Sequence, residues 1–270
     1  MLLFDDGIDQ VLFDCHVSRP SIPRSLFGKL STDKAVADRI LREFDFTRLR
    51  GIFISHSHYD HVIDAPYFAR KRRAAIYGSS SSLNVARGGG VPEKRLFRFE
   101  DGSEFQIGDF HVRVLASVHS APKWYNNDLG QTIDAPLVQP AKKKEYKEGG
   151  SFDFLIRNGE KQYLIRPSYN FMEGQLDGIQ ADVLFLGIGG LSNDSEERRK
   201  IFFAETIDKT RPKVVIPVHW DNFFTPLYGE VKGMPKVIEH TGKSMHFLAE
   251  HCDAKNVQCF VQLPLSSVEL

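Results

Sequence analysis

The 270-residue chain has few cysteines, no excess of charge of either sign and no long apolar run. Its cysteines are odd in number and too few for a disulfide framework, namely Cys15, Cys252 and Cys259. Lys plus Arg and Asp plus Glu number 35 each, so the formal net charge is zero. A chain without a positive field is not typical of nucleic-acid-binding proteins. No stretch approaches the run of about 18 apolar residues that a membrane-spanning helix needs.

These absences favour a cytoplasmic protein that acts on a small molecule, with no nucleic-acid partner and no membrane span. A content of 41% hydrophobic and 26% charged residues is typical of a globular chain with a sizeable core. The length fits one large α/β domain, and we expect residues 1–270 to form it. The N-terminus has no signal-peptide pattern and begins inside a strand, so the domain either starts abruptly or lacks its first strand. The oligomeric state stays open.

Short apolar runs alternate with a few helical patterns along the chain. The predicted strands are 2–4, 11–13, 51–55, 74–77, 110–118, 152–157, 162–165, 182–186, 213–218 and 258–263. The predicted helices are 32–42, 65–73 and 196–209. Residues 120–150 are rich in Pro, Gly and Lys and predict a long loop, which is usually functional at that length. Its Trp124 and Tyr125 suit a lid over substrate and an anchor for the loop equally well.

Three of the ten histidines and an aspartate crowd into six residues directly after the strand at 51–55. His56 and His58 are two apart at a strand end, so their imidazoles can project to one side and chelate one cation. Asp60 and His61 point elsewhere and can bind a second cation. Imidazole and carboxylate are ligands for zinc and other borderline divalent metals. Two such ions can share a hydroxide and bind an electrophile.

Two further histidines follow predicted strands. His119 comes after the strand at 110–118, and His219 comes after the strand at 213–218. A lone histidine at either place is more commonly an ordinary, partly buried residue. Beside the cluster at 56–61, both are expected to complete its ligand sets.

The pattern extends over most of the chain, and it resembles the metallo-β-lactamase-fold hydrolases. The matching segments are Val11–Cys15, His56–His61, Ser117–His119, Asp182–Gly187 and Pro217–His219. The layout also resembles the branch that contains ascorbate-phosphate lactonase and the N-acylphosphatidylethanolamine phospholipase D enzymes. The resemblance implies a four-layer αββα sandwich with the site at one edge of the paired sheets. It also implies a first metal on His56, His58 and His119, and a second metal on Asp60, His61 and His219.

One position departs from the family pattern. Family members usually carry an aspartate that bridges both metals after the strand that follows the second hairpin turn. The equivalent residue here is Ser168, with Arg166 nearby. A neutral hydroxyl is a far weaker ligand than a carboxylate. We therefore expect weak occupancy of the second site, or a single metal. Asp221, close to His219, has three possible roles. It substitutes for the missing carboxylate, orients His219 or caps a helix.

The sequence thus predicts a metal-dependent hydrolase in which metal-bound hydroxide attacks an ester, lactone or phosphodiester bond. Zinc is the expected cofactor, as one or two ions, with manganese, iron and nickel as alternatives. Asp60 is the expected catalytic residue, since it can orient the nucleophile or shuttle a proton. The alternative is a catalytically impaired relative that binds a metal or ligand, with Ser168 marking a decayed centre.

Overall fold

Twelve strands and seven α-helices form in the part of the chain that the computed structural model describes, residues 1–122 and 127–270. Trp124 and Tyr125 lie outside these residues. The strands are β1 Leu2–Asp5, β2 Gln10–Phe13, β3 Leu49–Phe53, β4 Ala75–Gly78, β5 Leu96–Arg98, β6 Glu104–Ile107, β7 Phe110–Ser117, β8 Ser151–Asn158, β9 Lys161–Arg166, β10 Val183–Gly187, β11 Val214–Val218 and β12 Gln258–Cys259. The helices are α1 Ile22–Phe27, α2 Lys34–Glu43, α3 Tyr59–Val62, α4 Ala65–Arg72, α5 Ser80–Gly88, α6 Glu196–Phe203 and α7 Thr241–Ala254.

The strands form two sheets that pack face to face. The five-stranded sheet has the order β1-β2-β3-β4-β5, and the seven-stranded sheet has the order β12-β11-β10-β9-β8-β7-β6. Aromatic side chains from both sheets fill the space between them. Phe13 of β2 stacks on Phe53 of β3 with ring centroids 5.4 Å apart, and it meets Phe154 of β8 across the interface at 5.2 Å. Burial of these large apolar faces holds the two sheets together.

Helices cover the outer face of each sheet. Ile40 of α2, Phe68 of α4 and Leu83 of α5 pack into one buried cluster with the first sheet. Phe202 of α6 and Leu248 of α7 pack into another with the second sheet. The layers therefore run helix, sheet, sheet, helix, and the predicted four-layer αββα sandwich is confirmed. Among the described residues, no helix has the length and apolar character needed to cross a membrane.

The sequence patterns predict most of the strands, but they do not predict every element. The C-terminal strand is shorter than the predicted 258–263 because its ladder to β11 stops after the bond from Phe260 N to Val215 O. The next hydrogen bond of this ladder would need the backbone N–H of residue 217 on β11 as its donor, but Pro217 has no N–H. Helix α5 begins in the serine run after β4 and is not among the predicted helices. Ser79 caps that helix by accepting a hydrogen bond from the backbone N–H of Ser82.

Candidate metal centre

Parallel strands bring the predicted ligands to one edge of the sandwich. Strands β7 and β9 both run antiparallel to β8, and β9, β10 and β11 run parallel to one another. Their carboxyl ends therefore meet at the same sheet edge, where His119, Ser168 and His219 follow β7, β9 and β11. The segment at 56–61 follows β3 of the other sheet and faces them. The fold thus brings together residues that lie far apart in the sequence.

The first group of possible ligands is a triangle of imidazoles. The ring centroids of His56, His58 and His119 lie 4.8, 4.8 and 4.7 Å apart in pairs. Burial, reinforced by the neighbouring histidines, holds the pKa of His56 well below its usual range. Burial likewise lowers the pKa of His119 to about 3. Both rings are therefore neutral at pH 7, which is the form that binds a metal.

The Nε2 atom of His56 shows that this triangle fits a cation. It is buried, and it has no hydrogen-bond partner among the described residues. Its other ring nitrogen, Nδ1, lies 3.1 Å from Ser55 Oγ. A buried polar atom without a partner is costly, and a metal ion at the centre of the triangle would satisfy it.

The second group combines a carboxylate with two imidazoles. Asp60 Oδ2 lies 3.6 Å from His61 Nε2 and 3.4 Å from His219 Nε2. Burial raises the pKa of Asp60, but the charge of His61 and the hydrogen bond from His219 outweigh it and keep the pKa well below its usual range. The group is therefore ready to bind a cation as a carboxylate. It adjoins the first group, since the rings of His56 and His61 are 3.8 Å apart.

Two carboxylates behind these histidines were not predicted as functional residues. Asp14 Oδ2 lies 2.6 Å from His61 Nδ1, and its carboxylate also accepts hydrogen bonds from Ser55 N and Oγ. Asp128 Oδ1 and Oδ2 lie 3.1 and 3.2 Å from His58 Nε2. Each fixes the orientation of an imidazole and leaves the other ring nitrogen for a metal. Asp14 has a left-handed φ of 53°, which is a strained conformation of the kind common at functional sites.

Ser168 lies at the same edge in a tightly held segment. It is buried, and its neighbour Pro167 rests against β10 at Gly187, where any side chain would overlap the Pro167 carbonyl. Two residues later, Asn170 Nδ2 donates a hydrogen bond to the backbone oxygen of His119 at 2.6 Å. The segment after β9 is thus tied directly to a residue of the first group.

Arg166 and Asp221 are both paired with other residues. Arg166 is buried, and its Nε lies 3.1 Å from Asp153 Oδ2, so its charge is compensated locally. Asp221 Oδ2 lies 2.7 Å from Arg19 Nη2. Within residues 127–270 no helix begins between Asp221 and Thr241, so helix capping is not its role.

A sequence model of the Beta-lactamase superfamily domain matches residues 9–220. The chain belongs to this superfamily. It is 26% identical over 172 residues to a UPF0173 protein of Pyrococcus abyssi. The aligned residues cover 64% of this chain and 67% of the relative. It is 26% identical over 197 residues to a UPF0173 metal-dependent hydrolase of Chloroflexus aurantiacus, which covers 71% of each chain.

Two solved structures illustrate the shared fold. A metallo hydrolase from Ignicoccus hospitalis is 17% identical with a TM-score of 0.61, over 98% of this chain and 91% of that one. The metallo-beta-lactamase fold protein YhfI from Bacillus subtilis is 13% identical with a TM-score of 0.57, over 97% of this chain and 88% of that one. At these identities the similarity concerns the fold alone.

His16 is a buried histidine outside both ligand groups. Its ring lies between Tyr59 and Phe223, with centroids 5.9 and 6.1 Å away, and its Nε2 has no hydrogen-bond partner among the described residues. Burial lowers the pKa of His16 to about 3. The unfolded chain binds a proton there below about pH 6.5, whereas the folded chain does not until about pH 3. His16 therefore lowers the free energy of unfolding as pH falls through this window.

We expect His16→Phe to reduce the acid sensitivity of the metal-free protein. Phenylalanine suits the aromatic surroundings and removes one titrating group. The titration of that group changes the free energy of unfolding by up to about 1.4 kcal/mol per pH unit between about pH 6 and 4. Urea unfolding in EDTA across this range measures the slope. His246→Gln is the control for the loss of an exposed histidine. Equal slopes for His16→Phe and the unsubstituted protein would contradict the prediction.

Proposed function

We propose that this protein is a metal-dependent hydrolase whose centre is formed by the two adjoining ligand groups. The observation that carries the proposal is the buried Nε2 of His56, which has no hydrogen-bond partner among the described residues. His56 is one of three histidines that each offer a ring nitrogen within 4.8 Å of the others. The superfamily match and the relatives named metal-dependent hydrolases support the same conclusion.

The six side chains take separate roles in this proposal. His56, His58 and His119 hold the first cation. Asp60, His61 and His219 hold the second. When bound, a divalent cation supplies Lewis acidity that polarises the scissile bond and makes water a stronger acid. Mainly imidazole donors favour zinc over magnesium or calcium, with manganese, iron and nickel as alternatives.

Asp60 is the proposed catalytic residue, with the role of orienting the attacking water. Its low pKa keeps it ionised, so its carboxylate can accept a hydrogen bond from the attacking water and orient that water toward the substrate. Asp14 keeps His61 in the tautomer whose Nε2 faces Asp60. The expected substrates are small molecules with an ester, lactone or phosphodiester bond.

We further propose that Ser168 makes the second cation bind more weakly than the first. Asp60 is the one carboxylate among the six proposed ligands, and a hydroxyl at the bridging position would add no charge. Two divalent cations in one buried site repel each other strongly unless anionic ligands compensate them. The first group can function alone, because three histidines and an open position form a complete catalytic zinc site.

Metal analysis combined with hydrolysis assays tests this function. We expect the purified protein to hold at least about one divalent cation per chain, as a three-histidine zinc site does. It should also cleave a generic ester, a lactone or a bis-aryl phosphodiester. Chelation should abolish cleavage, and one of the four candidate metals should restore it. A protein that holds much less than one cation and cleaves none of these substrates would contradict the proposal.

The alternative is a relative that binds metal without turnover. The buried, neutral Ser168 at the expected bridging position favours it, because loss of a bridging carboxylate weakens a two-metal centre. Tight binding of one cation without cleavage of any substrate class would support this alternative.

A further inference from the structure

The loop between β7 and β8 contributes a carboxylate to the first ligand group. Asp128 lies on this loop, 70 residues from His58 in sequence, and both of its carboxylate oxygens approach His58 Nε2. The side chains of His58 and Asp128 are only 8% and 15% exposed, so water screens this pair little. Since Nε2 faces Asp128, the atom of His58 left for a cation is Nδ1.

The loop that carries Asp128 is closed at its base by Glu148. Oε2 of Glu148 accepts hydrogen bonds from Gly130 N and Gly150 N, each at 3.1 Å, and Oε1 accepts one from Ser151 Oγ at 2.6 Å. The backbone N–H of Glu148 donates to Asp128 Oδ2 at 3.2 Å. The two carboxylates therefore hold both arms of the loop together, and Asp128 is presented to His58 on a closed loop.

The same loop also contacts the segment of His58 directly. Ser57 N donates a hydrogen bond to the backbone oxygen of Glu148 at 2.9 Å, and Ser57 Oγ donates to the backbone oxygen of Lys147 at 2.6 Å. His58 is thus fixed both through its ring and through its neighbour. Displacement of Asp128 or of the backbone at Lys147 and Glu148 would therefore disturb His58.

We propose that Asp128 is a positioning residue that couples closure of the loop at 127–150 to metal binding at His56, His58 and His119. This inference rests on the metal centre proposed above. By accepting the Nε2–H of His58, Asp128 selects the tautomer with a free Nδ1 and adds negative charge behind the ligand. Because coupling between two equilibria is reciprocal, a bound cation stabilises the closed loop by as much as the closed loop strengthens cation binding.

Cobalt titration and hydrogen exchange together test the coupling. The cation is Co²⁺ alone, followed by its visible absorption, and exchange is measured in peptides within residues 127–150. We expect Asp128→Ala to weaken Co²⁺ binding about 10–100-fold and to shift the absorption bands. Asp128→Asn keeps an acceptor oxygen without the charge, so its Co²⁺ affinity should lie between that of Asp128→Ala and that of the unsubstituted protein. Co²⁺ should slow exchange in these peptides in the unsubstituted protein, and Asp128→Ala should remove most of that effect.

Asp134→Ala is the matched control from the same loop. Asp134 is exposed and accepts a hydrogen bond from Thr132 Oγ1, so its loss should change neither measurement. Unchanged Co²⁺ affinity, spectrum and exchange in Asp128→Ala and Asp128→Asn would overturn the coupling while the metal centre stands. If the unsubstituted protein binds no Co²⁺, the metal centre itself fails and the coupling fails with it. Should Asp128→Ala not fold, Asp128→Asn decides alone, because it preserves the volume of the side chain.

Discussion

Replacement of His119 by alanine is expected to abolish hydrolysis and most of the metal binding. We expect a loss well beyond the roughly 10–100-fold that follows removal of a residue that only orients a ligand. The reason lies in the fold, since His119 is the member of the first group that the second sheet contributes, after β7. Without it, His56 and His58 remain on one segment as a two-donor set, which is too few for a stable zinc site.

Metal content by mass spectrometry and hydrolysis rates at saturating zinc measure this effect. His111→Ala is the control, because His111 lies on the same strand, β7, but pairs with Gln106 of β6 in the sheet. It should retain both metal and activity. His219→Ala should cause a smaller loss of metal, since it affects only the second group, which we propose to bind its cation more weakly. Full metal content and activity in His119→Ala would contradict the first site.

The positions of the proposed ligands could be predicted because strand ends are visible in the sequence. The crowding of His56 to His61 after an apolar run is a local signal, and so is a histidine directly after each of two later strands. Parallel strands end at a common edge, so the ends of β7 and β11 had to lie at the same edge of the sheet. Most of the strands around them follow from short-range patterns in the same way, whereas β5, β6, α1, α5 and α7 were not predicted.

The residues that support the proposed ligands could not be predicted. Asp14 reaches His61 across 47 residues, and Asp128 reaches His58 across 70. Neither contact has a fixed spacing, because each depends on strand register or on how the loop at 127–150 closes. The same holds for His16, whose burial follows from the packing of Tyr59 and Phe223 around it. Long-range packing determines which residues form these contacts, and no local sequence pattern predicts that packing.

Ser168→Asp is expected to raise the bound metal from about one cation per chain to about two, because a carboxylate that bridges both cations offsets their repulsion. The metal-free variant should be less stable than the unsubstituted protein, since a buried carboxylate without a cation is costly. Added zinc should reverse that loss. The opposite signs of the two effects separate a new ligand from simple damage to the fold.

Ser168→Asn is the matched control, because asparagine has nearly the same size as aspartate and carries no charge. It should add no second cation and show no zinc-dependent recovery of stability beyond that of the unsubstituted protein. Metal content at controlled free zinc, with unfolding by urea in EDTA and in zinc, measures both effects. If Ser168→Asp changes neither metal content nor rate, Ser168 does not occupy the bridging position. The weak second site would then need another cause, such as the partial exposure of His219.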